Sequence, residues 1–352
     1  MKVNSEIISL LRLPLIVGVV FIHSLSLGHG VYHIYDLYYS LITEMLCGVC
    51  VPLFFFFSGY LFFQNLEAFS FEIYKSKIKK RINSLLIPFL FWNLFVVVII
   101  GMGQLLLPSL FTGAFKNVAD FDFNDWLSIF YCSLGSNKPI AYQLWFLRDL
   151  IMMSVLTPLF YYLCKYLKYW WIIVLMFLCL VGVPSLMPGL SFISLFYYCS
   201  GCWCGINKKA FVFKNHTLRW IMILLYCLLI VIEFSLKQVG YSWLKYIHSL
   251  NVMIGCISIL QLTSICIERC NASKSIFKKK SISNASFFIY CYHGIFATFM
   301  GKVASGFVNN DLEAVGCYFA IVVLLVVMGV IIYNVLLKTL PRITLVITGG
   351  RN

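Results

Sequence analysis

The sequence has few charged residues, and acidic residues are especially scarce. Only 11% of the 352 residues are charged, and Asp and Glu together number 13. Soluble domains carry roughly 25% charged residues, and disordered chains are typically rich in charge. Apolar residues make up 61% of the chain, which is more than a single soluble core of this size can bury. The composition therefore excludes a soluble enzyme, a disordered chain and a coiled coil, and it predicts a polytopic membrane protein of the all-α class.

The sequence also lacks the polar surroundings that a metal site or a disulfide framework would need around its cysteines. Its 14 cysteines fall mostly within apolar runs, where cysteine behaves as a small hydrophobic residue. Cys-x-x-Cys occurs twice, at 47–50 and 199–202, but both pairs lie within apolar runs, so we expect neither disulfides nor a metal. The net charge of +14 comes from basic residues in short gaps between apolar stretches. In such gaps they orient membrane helices, so we expect no nucleic-acid partner.

Ten apolar stretches are long enough, or nearly so, to cross a bilayer, which takes about 20 helical residues. The predicted spans are 7–27, 42–63, 84–106, 143–163, 169–184, 190–206, 217–236, 244–267, 284–304 and 314–337. Lys and Arg fill alternate gaps, whereas the opposite gaps carry Asp and Glu, so both termini are predicted to be cytoplasmic. The one long external gap contains FDFNDWLSIFYC at 121–132, which predicts an interfacial helix or a cover over an external opening. We expect residues 1–352 to form one membrane domain.

The first span contains two ionisable residues, Arg12 and His23, where charge is expensive and therefore suggests function. Eleven residues at about 100° each bring the two side chains to within about 20° of one helix face. They are about 16 Å apart along the helix axis. We expect both to face one interior passage, with Arg12 near the cytoplasmic side and His23 in the outer half. A snorkelling arginine and a packing histidine would show the same spacing.

The second span and the basic stretch that follows it hold further candidates. Glu44 and Ser58 fall within about 40° of one helix face, and Glu44 is expected at a depth where it orients the His23 imidazole. An interfacial position is the alternative for Glu44. The stretch KSKIKKRINSLLIPFL, which includes Lys80 and Arg81, suits an anionic cytosolic ligand. Ordinary positive-inside topology would explain a basic stretch equally well.

Two later spans place polar residues within apolar surroundings. LWFLRDL opens the fourth span, where Arg148 and Asp149 lie about 100° apart, so that one can face the protein interior while the other faces the headgroups. An interfacial anchor is the alternative. The ninth span begins SISNASFFIYCYHG, in which Tyr290 and His293 belong to a polar stripe. Such a stripe faces a partner helix or a wet cavity. We therefore treat these four residues as candidates for the lining of the passage, with hydrogen bonding between helices as the alternative.

Taken in chain order, these motifs resemble membrane acyltransferase family 3. The shared features are the Arg-x10-His of the first span, VPLFFFFSGY in the second, the basic run that leads to Pro88, LWFLRDL and IYCYHG. They extend from the first span to the ninth. The Arg-x10-His spacing and the Phe-rich segment ending in SGY are the more specific members of this set.

The resemblance implies a ten-helix bundle in a bacterial inner membrane that moves an acyl group from cytosolic acetyl-CoA to a hydroxyl of a glycan or lipid-linked glycan. By motif match, Arg12 and His23 form the essential pair. The residues that would hold acetyl-CoA are Arg12, Ser58, Lys80 and Arg81. Acyl transfer needs a base for the hydroxyl proton or a nucleophile that carries the acyl group, and a neutral imidazole can be either. The resemblance implies no metal, and it leaves the oligomeric state open.

Two other classes of membrane protein fit the same composition. A transporter or flippase of a lipid-linked glycan would also place polar residues inside spans, although no repeated halves or paired broken helices are visible. A membrane regulator with a degraded site is the other alternative. Binding of CoA would favour the enzyme, whereas substrate movement without acyl-CoA would favour the transporter.

Overall fold

The chain folds as a succession of helices, with no strand in the residues that the structure describes. This computed structural model describes residues 2–27, 30–108, 116–133, 135–237, 239–241, 243–269 and 280–350. The α-helices are α1 (Lys2–Ile22), α2 (His33–Tyr39), α3 (Cys50–Phe63), α4 (Phe71–Arg81), α5 (Ile87–Leu106), α6 (Phe123–Tyr131), α7 (Trp145–Val155), α8 (Thr157–Tyr166), α9 (Lys168–Val181), α10 (Phe192–Ile206), α11 (His216–Lys237), α12 (Leu244–Arg269), α13 (Lys280–Ser305), α14 (Asp311–Thr339) and α15 (Pro341–Ile347). The all-α class predicted from composition is confirmed for these residues.

Within the described residues, six helical stretches are long and apolar enough to cross a bilayer. They are Val3–Ile22, His33–Phe63, Phe71–Leu106, His216–Lys237, Leu244–Arg269 and Asp311–Thr339. The pair α7–α8 is a seventh if it forms one span bent by 62°, and Pro158 in the first turn of α8 accounts for the bend. Helices α9 and α10 are apolar, but at 14 and 15 residues they are shorter than the usual span of about 20. The chain is therefore a multi-pass membrane protein, while the count of ten spans and the cytoplasmic termini remain predictions.

Two of the long stretches widen into π-helical turns near a proline. One is Ser40–Leu46, between α2 and α3, and the other is Ile82–Leu86, between α4 and α5. A proline lacks an N–H, and its ring collides with the carbonyl four residues earlier, so a regular α-helix cannot continue around Pro88. The wider turn absorbs this conflict directly after Arg81. The basic helix α4 thereby leads into the apolar helix α5 without a loop.

The acidic segment at 121–132, predicted to be an interfacial helix or a cover over an opening, does form a helix, α6. The Asp122 side chain accepts a hydrogen bond from the backbone N of Asp125 at 2.9 Å, and the Asp125 carboxylate accepts one from the backbone N of Asp122 at 3.0 Å. This reciprocal capping begins the helix. Lys116 lies 2.5 Å from the Asp125 carboxylate and adds an exposed ion pair.

Helices α3 and α10 approach each other closely because glycines line their contact. Gly201 and Gly205 of α10 have the Gly-x-x-x-Gly spacing that lets two membrane helices meet at backbone distance. Gly201 packs on the backbone of Phe56, and Gly205 packs on that of Tyr60. Gly59 of α3 meets the α10 backbone in return. This contact fixes the position of α3, whose Ser58 belongs to the site described below.

Replacing Gly201 with alanine is expected to destabilise the protein by about 1–3 kcal/mol, because the helices must separate. A methyl group there would lie 2.9 Å from both the Phe56 carbonyl carbon and the Tyr60 nitrogen. Gly301→Ala in α13 is the matched control, since a methyl group at that position has no heavy atom within 4 Å. Thermal unfolding in detergent measures both variants. Equal melting temperatures for the two variants would contradict the expected close contact.

Candidate active site

Two cavities lie beside α1, one along its middle turns and one at its end. The first has a volume of about 460 Å³ and is called the arginine cavity, because Arg12 and Arg81 line it. The second has a volume of about 560 Å³ and is called the histidine cavity, because His23 and His248 line it. Both volumes are typical of small-molecule sites. The sequence predicts one passage for Arg12 and His23, and in the structure the two side chains line different cavities.

The arginine cavity carries positive charge for which the described residues supply no counter-ion. Arg12 makes no hydrogen bond or ion pair with any described residue. Arg81 donates from Nη1 to the Ser58 Oγ at 2.8 Å and from Nη2 to the Ser58 carbonyl at 3.2 Å, and both acceptors are neutral. The described residues that line the cavity include no Asp or Glu. Two guanidinium groups without a carboxylate favour an anionic ligand, and phosphate groups match their geometry.

The two basic residues at the end of α4 face different surroundings. Arg81 lines the arginine cavity, whereas Lys80 is exposed and lies outside its lining. Lys77, one turn before Arg81, donates a hydrogen bond to the carbonyl of Phe62. The charged groups of Lys77 and Arg81 lie 5.1 and 5.7 Å from the centroid of the Phe62 ring. The predicted Lys80–Arg81 pair is therefore split, and the structure brings Arg81 alone to the cavity.

A segment after the last predicted span also lines the arginine cavity. Helix α15 turns back toward α5, and Trp92 donates from its indole N–H to the Ile347 carbonyl at 3.1 Å. Gly349 and Gly350 follow α15 and line the cavity. Gly349 has φ of 67° and rests on the backbone of Ser84, so a side chain there would collide. The sequence pattern did not predict that the chain turns back to this cavity. The Gly-Gly pair is the one sequence feature that indicates a turn there.

Aromatic rings separate the two cavities. Phe55 lines the histidine cavity and Phe146 lines the arginine cavity, and their ring centroids are 4.7 Å apart in an edge-to-face contact. Tyr290 lines the arginine cavity, with its ring 6.0 Å from that of Phe146 and its hydroxyl donating to the Gln143 carbonyl at 2.9 Å. The two compartments therefore meet at touching aromatic side chains.

Two imidazoles lie side by side near the histidine cavity. His23 follows the last residue of α1, and its ring centroid is 5.4 Å from that of His293 and 5.1 Å from that of Tyr142. His293 is fully buried, and its Nδ1 donates to the Tyr290 carbonyl at 2.7 Å. Its Nε2 is then an acceptor, and it has no partner in the described part of the chain. The His23 side chain makes no hydrogen bond to a described residue, so both of its ring nitrogens remain available to a substrate.

Arg148 lines the histidine cavity and is buried together with Asp149. Their side chains are joined by two hydrogen bonds, at 3.0 and 2.8 Å, from the guanidinium to one carboxylate oxygen. Arg148 also donates from Nη1 to the carbonyls of Tyr131 and Asn137, at 2.7 and 2.9 Å. Both side chains lie inside the protein. A helix anchor at the lipid headgroups would instead be exposed at the membrane surface. The pair ties the end of α6 and the following segment to α7.

Glu44 is not brought to His23. It pairs with Lys237 at the end of α11, and Lys237 also donates to the Ser40 Oγ at 2.9 Å. Glu44 lines neither cavity. The predicted face shared with Ser58 assumed 100° per residue, and the π-helical turn at Ser40–Leu46 changes that angle. The expected contact between Glu44 and the His23 imidazole is therefore absent.

Sequence reasoning assigned no role to His248, which lines the histidine cavity. Its Nδ1 lies 2.7 Å from the Oε1 of Glu233 on α11. The sequence did contain an indication of this site, because Glu233 lies inside the predicted span 217–236, where an ionisable group is costly. The partner could not be identified, because which residue of the next helix faces Glu233 depends on how α11 and α12 pack.

Comparison with known proteins points to one family. The family profile described as "Acyltransferase domain" matches residues 6–334. Among curated proteins, the succinoglycan biosynthesis protein ExoH of Rhizobium meliloti (strain 1021) is 32% identical over 162 residues, which cover 44% of this chain and 42% of that protein. The chain thus spans about two fifths of the length of this relative. No solved structure matches the chain.

Proposed function

The chain belongs to the acyltransferase family whose profile spans residues 6–334, and on this premise we propose that it is an integral-membrane O-acyltransferase. It moves an acyl group, in the first instance acetyl, from cytosolic acetyl-CoA to a hydroxyl of a cell-surface glycan or its precursor. The proposed location is the inner membrane of a bacterium. In this orientation the arginine cavity opens toward the cytoplasm and the histidine cavity toward the outside.

The uncompensated charge of the arginine cavity is the observation that carries this proposal. Acetyl-CoA presents several phosphate groups, and Arg12 and Arg81 present two guanidinium groups to one cavity. Ser58 accepts two hydrogen bonds that orient the Arg81 guanidinium, and these neutral acceptors leave its positive charge in place. Charge-assisted hydrogen bonds of this kind are about twice as strong as neutral ones.

The acyl group would pass from one cavity to the other through the aromatic layer. Along α1, Arg12 and His23 are separated by about 16 Å, so an extended and largely uncharged pantetheine arm would span this distance. Rotation of Phe55 or Phe146 would open a path between the cavities. In this arrangement Tyr290 and His293 line the path on the α13 side.

The histidine cavity supplies the chemistry of transfer. Two routes are open to His23: it takes the proton of the acceptor hydroxyl, or its ring nitrogen carries the acyl group for a short time. Lys138 also lines this cavity and would place positive charge near the oxyanion that forms during transfer, whereas the charge of Arg148 is balanced by Asp149. The acceptor is proposed to be a glycan because the relative ExoH is a succinoglycan biosynthesis protein.

Radiolabelled donor and membrane vesicles test the proposal. Inverted vesicles from source cells with and without the gene receive labelled acetyl-CoA or succinyl-CoA, and label in the glycan fraction is followed with time. We expect gene-dependent labelling of glycan as an ester, with one donor preferred. Mass analysis of the glycan then identifies the acyl group and its position. Equal labelling with and without the gene would contradict the proposed function.

Replacing Arg81 with alanine is expected to weaken acetyl-CoA binding by about 10- to 100-fold, since it removes charged hydrogen bonds to phosphate. Lys80→Ala is the matched control, because Lys80 is exposed and lies outside the cavity, and an effect below about threefold is expected. Displacement of labelled acetyl-CoA from purified protein in liposomes measures both variants. Equal losses would show that the two cations act together at the membrane surface instead.

A further inference from the structure

Helix α11 carries a buried carboxylate in an apolar setting. Glu233 is 3% exposed, and it is the one acidic residue of α11. Its Oε1 lies 2.7 Å from the Nδ1 of His248, and its Oε2 accepts a hydrogen bond from the Nδ2 of Asn251 at 2.6 Å. Both partners come from one face of α12. A carboxylate buried in a membrane helix is costly, so this arrangement calls for a functional explanation.

His248 is held by this carboxylate and faces the histidine cavity. Its side chain is 41% exposed, and it lines the cavity together with His23. The Glu233 carboxylate can only accept, so the Nδ1 of His248 carries the hydrogen and its Nε2 keeps a lone pair. The carboxylate also stabilises the imidazolium that forms when Nε2 takes up a proton. This is the arrangement of a general base whose orientation is fixed by an acid.

The two cavity histidines have different surroundings. His23 has no hydrogen-bond partner among the described residues, whereas His248 has a buried carboxylate. We infer that His248, positioned by Glu233, is the base that takes the proton of the acceptor hydroxyl, and that His23 carries the acyl group. This inference rests on the proposed function and decides between the two routes open to His23.

The proposed steps balance in atoms and electrons. A ring nitrogen of His23 attacks the thioester carbonyl carbon, the C–S bond breaks, and CoA leaves as a thiol with the ring proton of His23. The acceptor oxygen then attacks the acyl carbon while its proton moves to the Nε2 of His248. The C–N bond breaks, its electron pair returns to His23, and the proton passes from His248 to the His23 ring. The sum is acyl-CoA plus hydroxyl giving ester plus CoA thiol.

A purely structural role for Glu233 would be to hold α11 against α12. The same two helices carry a second contact of this kind, in which Arg219 donates to both carboxylate oxygens of Glu268 at 2.7 and 2.9 Å. Glu268 lines neither cavity. Glu268→Gln is therefore the matched control for Glu233→Gln, since both changes remove a charge from the same helix pair.

The experiment separates acylation of the protein from transfer to the acceptor. Inverted vesicles from source cells that lack the gene and express each variant receive labelled acetyl-CoA, and glycan label is followed with time. Purified protein in liposomes receives the same donor without acceptor, and protein-bound label is counted. We expect His248→Gln to slow glycan labelling about 100-fold while protein labelling stays within about threefold of the wild type. Glu233→Gln should lower the ratio of glycan label to protein label in the same direction, and Glu268→Gln should leave this ratio unchanged.

Three results would overturn the inference. Glycan labelling at the wild-type rate by His248→Gln would show that His248 is not the base. Protein that carries no acyl label in the wild type, or equal label in His23→Ala, would show that His23 is not the carrier. Vesicles with the wild-type protein that label no glycan would overturn the proposed function and the inference with it, so the two failures are distinguishable.

Discussion

Replacing His23 with alanine is expected to reduce acyl transfer by at least about 1000-fold while acetyl-CoA binding is unchanged. The reason is the position of the imidazole, which lies in the histidine cavity and makes no hydrogen bond to a described residue. The donor's phosphates would be held by Arg12 and Arg81 in the other cavity, so the variant should still bind acetyl-CoA. Labelled transfer in vesicles and donor displacement in liposomes measure the two properties separately.

A matched control uses another histidine of the same chain. His216 begins α11, is exposed, and lines neither cavity, so His216→Ala should retain normal transfer. Wild-type transfer by His23→Ala would exclude both the base and the carrier role. Loss of donor binding in His23→Ala would instead indicate that the two cavities are one continuous donor site.

The sequence predicted side-chain positions best where they depend on the geometry of a single helix. The Arg12–His23 spacing uses only the geometry of α1, and both side chains do line interior cavities. Helix α6 follows from its own capping residues, and it forms as predicted. The prediction that Tyr290 faces an interior space likewise used only the spacing of polar residues along one helix, and Tyr290 lines the arginine cavity.

The features that sequence reasoning missed depend on contacts between distant parts of the chain. The aromatic layer that divides the passage joins Phe55 of α3 to Phe146 of α7. Glu44 is drawn to Lys237, which lies almost two hundred positions later in the sequence. The dyad of Glu233 and His248 likewise depends on how α11 meets α12. The periodicity of residues within a single helix does not show which residues of other helices they will contact.

The burial of Arg148 predicts a large effect on stability. Arg148→Ala is expected to cost about 3–5 kcal/mol of unfolding free energy, because it leaves the Asp149 carboxylate buried without its cation. Asp149 is only 2% exposed, and the substitution also removes the donor to the carbonyls of Tyr131 and Asn137. Unfolding in detergent with increasing denaturant measures the change. Lys116→Ala provides the comparison, because its ion pair with Asp125 is exposed to solvent and should contribute far less to stability.

A second substitution separates the two parts of the Arg148 effect. Adding Asp149→Asn to Arg148→Ala removes the uncompensated charge but not the loss of the two carbonyl contacts. If the buried charge dominates, the double variant should recover most of the lost stability, since a neutral amide is far less costly to bury than a carboxylate. If the carbonyl contacts dominate, the double variant should be no more stable than Arg148→Ala. An Arg148→Ala variant as stable as Lys116→Ala would contradict both, and it would mean that the segment after α6 is held to α7 by other contacts.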